Sequence, residues 1–215
     1  MTVAAKICGV NSREALDAAV GGGAAFVGFV FYARSPRYLT VPQAAALATA
    51  TPKTVKRTGL FVDVDDATIE TVLKDAPLEL LQFHGAETPA RCRAVKARFG
   101  VPVMKAVKIG GPDDLAQATP FFDAADWLLF DAKTPPSMTN ALPGGNAVSF
   151  DWTVLAGAKL PLPWMLSGGL TPENVAEAVR VSGAQAVDVS SGVESAPGRK
   201  DPARIAAFLA AVRGL

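Results

Sequence analysis

The sequence predicts a single (β/α)₈ barrel over residues 1–215, a closed sheet of eight parallel strands with helices packed around it. Three observations predict it: eight short apolar runs, helical segments between them, and glycine-containing motifs after the last two runs. A chain of 215 residues suits one domain and lies at the lower end of the size range for this barrel. An open sheet of eight units is the alternative, but closure removes the unpaired sheet edges and is therefore favoured.

The eight runs are apolar or β-branched and do not alternate cleanly with polar residues. Such runs are typical of strands buried on both faces of a parallel sheet. They cover residues 3–9, 25–31, 56–62, 78–85, 102–109, 127–133, 163–169 and 186–192.

Seven segments have helical spacing, and several begin with Ser, Thr or Asp as the N-cap. T-P-E-N at 171–174 and D-P-A-R at 201–204 place proline at the first helical position, where its missing N–H is tolerated. Two long irregular segments, 32–40 and 134–149, follow the second and sixth strands and are expected to form binding walls or lids. The helical segments are 12–20, 41–49, 66–76, 88–99, 112–122, 171–183 and 201–215.

Composition excludes several classes of protein. A formal net charge of +1 gives no global attraction to nucleic acid or to a membrane. Lys6 and Arg13 interrupt the N-terminal segment, which rules out the apolar core of a signal peptide, and no run of roughly 18 uncharged apolar residues occurs. Two cysteines and one histidine give neither a disulfide framework nor a metal-ligand spacing. We expect a cytosolic protein with no nucleic-acid, membrane or metal partner.

Two motifs of small residues predict a phosphate site. S-G-G-L at 167–170 and S-S-G-V-E at 190–194 follow the seventh and eighth strands, where barrels commonly bind phosphate. Small side chains let backbone N–H groups approach an anion. The alternative is that the glycines only form tight turns, but their occurrence after adjacent strands favours phosphate binding. The predicted phosphate ligands are Gly168, Gly169, Ser190, Ser191 and Gly192.

A thiol and a carboxylate are the predicted catalytic pair. Cys8 ends the first strand near Lys6, whose charge is expected to favour the thiolate and lower the thiol pKa, whereas Cys92 lies on a helix and is expected to be inert. Asp131 ends the sixth strand after four apolar residues, and its alternative role is an ion pair with Lys133 or another lysine. Facing each other at the barrel mouth, Cys8 and Asp131 would supply the base and the acid that aldose–ketose isomerisation requires.

A series of motifs then resembles one family from end to end. The series comprises KICG (6–9), SPR (35–37), GLFVD (59–63), LLQFHG (80–85), LLFDAK (128–133), PGGNAVSFDW (143–152), LSGGLTPENV (166–175) and DVSSGVE (188–194). In order and spacing it is similar to the phosphoribosylanthranilate isomerase family. The resemblance implies an Amadori rearrangement of N-(5-phosphoribosyl)anthranilate to 1-(2-carboxyphenylamino)-1-deoxyribulose 5-phosphate, a phosphorylated small-molecule substrate and no cofactor.

The resemblance also implies residue roles. Cys8 would be the general base and Asp131 the general acid, and Arg37 would hold the anthranilate carboxylate. Asp188 would bind sugar hydroxyls, while Lys6 and His84 are expected at the substrate, His84 in a structural or substrate-shaping role. The phosphate residues match the family's phosphate loops.

Ala147 departs from the family pattern, which usually has glycine at this position. An alanine with a positive φ would be strained, so we expect a slightly repacked loop instead.

Three other kinds of phosphate-binding barrel are alternatives for this sequence. A metal-dependent pentose-phosphate epimerase would need several histidines, and an orotidine-type decarboxylase would need a further acidic residue where T-P-P-S follows D-A-K (131–133). A non-catalytic sugar-phosphate-binding barrel is the third, and the pairing of Cys8 with Asp131 argues against it. The chain is expected to be a monomer or a homodimer.

Overall fold

The computed structural model of the chain describes residues 2–135, 137–138 and 142–215. Eight parallel strands pair in the order β1 to β8, and β8 pairs with β1 to close the barrel. The predicted (β/α)₈ fold is thereby confirmed, and each strand falls within its predicted run. The strands are β1 Ala4–Cys8, β2 Phe26–Val30, β3 Lys56–Phe61, β4 Leu80–Phe83, β5 Val103–Ile109, β6 Trp127–Ala132, β7 Trp164–Leu166 and β8 Ala186–Val189.

In the described ranges of the chain, six α-helices surround the sheet. Ser12 accepts a hydrogen bond from the backbone N–H of Ala15 and caps α1, and Asp201 caps α6, where Pro202 is the first helical residue as predicted. The helices are α1 Arg13–Gly21, α2 Val41–Ala50, α3 Asp66–Asp75, α4 Pro89–Phe99, α5 Val175–Ser182 and α6 Pro202–Arg213. A short hairpin of β9 Glu194–Ala196 and β10 Arg199–Lys200 precedes α6.

Two helical predictions differ from the structure. Segment Pro112–Phe121 is a 3-10 helix, consistent with Pro120 inside it, which lacks an N–H donor. T-P-E-N does not begin a helix: α5 starts at Val175, because Asn174 is used to hold the turn. Its side chain accepts from the N–H of Thr171 at 2.8 Å and donates to the carbonyl of Gly169 at 2.9 Å.

No α-helix lies between β6 and β7 in the described part of the chain, although a strand–helix unit is the repeat of this barrel. A four-residue 3-10 helix, Trp152–Leu155, stands in its place. The described part of segment 134–149 is irregular chain, as expected, and residues 142–148 line the barrel mouth, while residues 136 and 139–141 lie outside the described part.

The core has two parts. The larger apolar cluster packs between the sheet and the helices. The smaller one lies inside the barrel, since Leu129 is two residues before the pocket-lining Asp131 and so faces the same side of β6. Its members are Phe26, Leu80, Met104, Ala106, Leu129, Met165 and Ala186. This filled interior makes the floor on which the polar residues of the barrel mouth rest.

Neither a membrane-spanning helix nor a metal cluster is found among the described residues. None of their helices is long and apolar enough to cross a membrane. No group of three or more His, Cys, Asp and Glu side chains in the same ranges is placed to hold a metal ion.

Candidate active site

A pocket opens at the carboxyl ends of the strands, where the active sites of such barrels lie. Most of the predicted site residues line it, namely Cys8, Arg37, His84, Asp131, Gly168, Gly169, Asp188, Ser190 and Ser191. Lys6 and Gly192 do not line it, so the structure places these two residues behind the pocket wall.

Lys6 and Asp188 form a buried ion pair beneath Cys8. The two residues occupy paired positions on β1 and β8, and the ammonium lies 2.8 Å from Oδ1 of Asp188. Ser167 donates to the other carboxylate oxygen at 3.2 Å. The side chain of Lys6 is fully buried, so it reaches the pocket only through Asp188 and Cys8.

The expected low pKa of the Cys8 thiol is wrong for this state of the protein. Burial raises the thiol pKa, and this effect exceeds the opposing influence of Lys6. Asp188 neutralises Lys6 and itself raises the thiol pKa. The sequence shows that Lys6 and Cys8 share one strand, but it does not show that Asp188 lies beside them. Cys92 is likewise buried, and burial raises its pKa to about 11.

Asp131 accepts hydrogen bonds from two side chains at one oxygen. Nε2 of His84 lies 3.0 Å and the ammonium of Lys108 lies 2.5 Å from Oδ2, while Oδ1 accepts from the N–H of Ala132 at 3.0 Å. The lysine that pairs with Asp131 is Lys108, whereas Lys133 pairs with Asp114. Sequence reasoning did not assign Lys108, although it stands level with Asp131 on the neighbouring strand.

These contacts set the ionisation of the pair. Burial alone would raise the pKa of Asp131, but the hydrogen bond from His84 and the charge of Lys108 outweigh it and lower the pKa to about 2. Burial lowers the pKa of His84, which favours a neutral ring. The amide Nε2 of Gln82 lies 3.0 Å from Nδ1 of His84, an arrangement in which Nδ1 accepts and Nε2 carries the proton donated to Asp131.

Arg37 is held by a residue that was not predicted. Its Nε and Nη2 donate to the two oxygens of Glu194 at 2.7 and 2.8 Å. Lys200 contacts Oε1 of the same carboxylate at 2.8 Å. The signal for Glu194 was present as the last residue of S-S-G-V-E, but the sequence does not reveal a partner 157 residues away.

The two predicted phosphate loops lie side by side. Gly168 and Gly169 have positive φ values of 91° and 64°, which glycine adopts without strain. A Cβ on Gly192 would lie 1.8 Å from the carbonyl oxygen of Leu170, so glycine is required for the two loops to pack together. Within the described residues, the N–H groups of Gly168, Gly169 and Ser191 have no backbone acceptor, and they remain available to an anion.

Ala147 has a φ of 56°, in the left-handed region. Ala147 therefore adopts the positive φ that the loop was expected to avoid. The neighbouring Gly145 also has a positive φ, of 74°, and lies against Arg37. The left-handed conformation of Ala147 carries a cost in backbone strain.

We expect Ala147→Gly to raise the thermal unfolding midpoint by about 1–3 °C. Glycine removes the strain of a left-handed alanine, which is about 1–2 kcal/mol. Part of this gain in the free energy of unfolding is offset, because glycine gives the unfolded chain more conformational entropy. Ala156→Gly is the matched control, because Ala156 has a φ of −60° and should lose stability. Scanning calorimetry measures both; an equal loss in the two variants would show that Ala147 is unstrained.

Comparisons with known proteins identify the family. The family model for N-(5'-phosphoribosyl)anthranilate (PRA) isomerase matches residues 5–211. An N-(5'-phosphoribosyl)anthranilate isomerase from Paramagnetospirillum magneticum is 56% identical over 214 residues, covering 100% of this chain and 99% of that protein.

Solved structures agree with this result. The phosphoribosyl anthranilate isomerase of Thermotoga maritima superposes with a TM-score of 0.88 at 36% identity, over 99% of this chain and 100% of that one. Another phosphoribosyl anthranilate isomerase structure, in complex with reduced 1-(o-carboxyphenylamino)-1-deoxyribulose 5-phosphate, gives a TM-score of 0.83 at 35% identity over 99% and 100%. From the family model and these relatives, the chain belongs to the N-(5'-phosphoribosyl)anthranilate isomerase family.

Proposed function

We propose that this isomerase converts N-(5-phosphoribosyl)anthranilate to 1-(2-carboxyphenylamino)-1-deoxyribulose 5-phosphate in tryptophan biosynthesis. The observation that carries the proposal is the arrangement of one pocket. It has a thiol and a carboxylate on its walls, phosphate-type loops on one side and a buried arginine on another. The reaction moves protons and changes no net oxidation state, so the proposal includes no cofactor.

The phosphate end of the substrate is assigned to the loops after β7 and β8. Gly168, Gly169 and Ser191 offer backbone N–H groups, and Gly192 lets the loops approach each other. Ser190 completes this wall: its hydroxyl donates to the carbonyl of Cys8 at 3.2 Å. The phosphate loop is thereby tied to the strand end that carries the base.

The sugar lies next to Asp188 in the proposal. Its carboxylate lines the pocket and can accept hydrogen bonds from ribose hydroxyls. Lys6 and Ser167 hold the carboxylate from below and from the side. The substrate role of Lys6 is therefore indirect, through Asp188.

The proposed chemistry has an acid step and a base step. Asp131 donates a proton to the furanose ring oxygen as the bond from C1 to that oxygen breaks, which gives an open Schiff base. Cys8 then removes the proton from C2, and the electron pair of that bond shifts toward the nitrogen to give an enolamine, which tautomerises to the ketose. His84 orients the acid, since its ring donates to Asp131.

The acid step needs a protonated Asp131, and a pKa of about 2 makes it a carboxylate at neutral pH when no substrate is bound. The proposal therefore includes a change around Oδ2 when the substrate binds. Lys108 is the group that can move, because its side chain is 28% exposed while His84 is 5% exposed. Its withdrawal would raise the pKa of Asp131 inside a dry pocket and let the carboxyl hold a proton.

Turnover tests the proposed function. The purified chain should convert N-(5-phosphoribosyl)anthranilate, generated in the assay, to the ketose product, and its gene should restore growth of a tryptophan auxotroph that lacks this isomerase. Neither result is expected of a barrel that only binds sugar phosphates, so failure of both with folded protein would contradict the proposal. Sedimentation of the same sample would decide between monomer and homodimer, which stays a prediction.

Arg37→Ala should raise KM at least about tenfold with a much smaller change in kcat. Arg37 is proposed to hold the anthranilate carboxylate, which is remote from the reacting carbons and is bound about equally in ground and transition states. Steady-state kinetics measures both constants. Arg34→Ala is the control, because Arg34 is exposed in the same segment and should keep its KM. An unchanged KM in Arg37→Ala would remove Arg37 from the substrate site.

A further inference from the structure

A buried cluster stands behind Arg37 and outside the proposed chemistry. Glu194 binds Nε and Nη2 of the guanidinium in a two-pronged ion pair, and the side chains of both residues are almost fully buried. Such a pair fixes the plane of the guanidinium group. Nη2 also donates to the carbonyl of Gly145 at 3.3 Å, which leaves Nη1 as the guanidinium nitrogen without a hydrogen bond among the described residues. Arg37 is one of the residues that line the pocket.

Lys200 brings a second cation to the cluster. Its ammonium lies 2.8 Å from Oε1 of Glu194 and donates to the carbonyl of Ser190 at 2.8 Å. Arg37 and Lys200 thus share one carboxylate, and burial lowers the pKa of the Lys200 ammonium. The guanidinium of Arg37 favours an anion in the adjoining pocket.

The β9–β10 hairpin fixes Glu194 against the loop that carries Arg37. The N–H of Gly198 donates to Oε2 of Glu194 at 3.2 Å, and Asn11 donates to the carbonyl of Gly198 at 2.8 Å. A Cβ on Gly198 would lie 2.3 Å from the carbonyl oxygen of Pro36, so the hairpin packs directly on the backbone next to Arg37. The hairpin therefore holds the Glu194 carboxylate in place, and the carboxylate in turn orients the guanidinium of Arg37.

We propose that Glu194 is a positioning residue that aims Arg37 at the pocket and so sets the preference of the enzyme for a substrate with a carboxylate on its aromatic ring. The proposal rests on the function proposed for Arg37. Glu194 is not one of the described residues that line the pocket, and it contacts Arg37, which does line it. Without Glu194 the long arginine side chain would have to be ordered by the substrate itself, which weakens selection for the carboxylate.

Binding of two compounds tests the proposal without turnover. The first is reduced 1-(2-carboxyphenylamino)-1-deoxyribulose 5-phosphate, and the second is the same compound without the carboxyl group. Calorimetric titration gives the ratio of their dissociation constants. The wild-type protein should prefer the first at least about tenfold, because a charge-assisted hydrogen bond to the carboxylate is lost with the second. Glu194→Gln should reduce this ratio to about threefold or less.

Control variants separate positioning from general damage. Glu87→Gln is matched, because Glu87 is an equally buried glutamate paired with Lys105 at 2.9 Å, and its ratio should equal the wild-type ratio. Glu194→Asp keeps the charge with a shorter side chain, and it takes the place of Glu194→Gln if that variant does not fold. Its ratio should fall between those of wild type and Arg37→Ala.

The outcomes distinguish this proposal from the one on which it rests. If Arg37→Ala lowers the ratio and both Glu194 variants keep the wild-type ratio, the positioning role of Glu194 is overturned and the role of Arg37 stands. If the wild-type ratio is near one, or Arg37→Ala leaves it unchanged, Arg37 does not hold the carboxylate and both proposals are overturned. A lower ratio in the Glu194 variants, with the Glu87 control unchanged, supports the proposal.

Discussion

Cys8→Ser should lower kcat by at least about 10²-fold while the reduced product analogue still binds. General base catalysis contributes about 10² to 10⁴ in rate, and a serine hydroxyl in this buried position would have a pKa far above that of a thiol. Serine keeps the size and the hydrogen bonding of cysteine, so the loss would report basicity and not packing. A near-normal kcat, measured where chemistry limits the rate, would rule out Cys8 as the base.

The pH dependence gives a second test of Cys8. The base must be deprotonated, so kcat/KM of the wild-type enzyme should rise with pH. Because burial raises the thiol pKa in the free enzyme, the rise should be centred above the ordinary thiol value. Cys92→Ser is the matched control, since Cys92 is buried on α4 away from the pocket and its substitution should leave kcat and the pH profile unchanged.

Asp131→Asn should also lower kcat at least about 10²-fold, because an amide cannot donate a proton to the leaving ring oxygen as an acid. The shape of the side chain and its contact with His84 are preserved, so binding of the analogue should survive. Asp114→Asn provides the control: Asp114 also pairs with a lysine but lies outside the pocket, and its kcat should stay close to wild type. Equal kinetics for wild type and Asp131→Asn would exclude Asp131 as the acid.

The same variant should change the acid stability of the protein. The pKa of Asp131 is about 2 in the folded protein and 3.8 as the ordinary value, so the folded state favours the carboxylate. That stabilisation, about 2 kcal/mol, is present above pH 3.8 and is lost as the pH falls through about 2. The difference in unfolding free energy between wild type and Asp131→Asn should therefore shrink between pH 5 and pH 2. A constant difference would mean that Asp131 has an ordinary pKa.

Local patterns in the sequence were enough for the architecture. Apolar runs identify strands because both faces of a parallel barrel sheet are buried, and N-caps such as Ser12 and Asp201 act within one turn of helix. Positions at strand ends predicted most of the pocket wall, since parallel strands place their carboxyl ends on one face. The failures at 112–122 and 171–174 were also local, and they concern how a proline or an asparagine is used within a turn.

The sequence by itself determined the barrel, the mouth at which the pocket lies, and most of the predicted site residues that line it. Tertiary structure alone decided their electrostatic state, because the charges that control them come from distant parts of the chain. Lys6 meets Asp188 across 182 residues, and Arg37 meets Glu194 across 157. Lys108 on β5 and His84, directly after β4, converge on Asp131, and Ala147 has a positive φ of 56°. Coulombic interactions depend on distance in space and on burial, and neither can be read from position along the sequence.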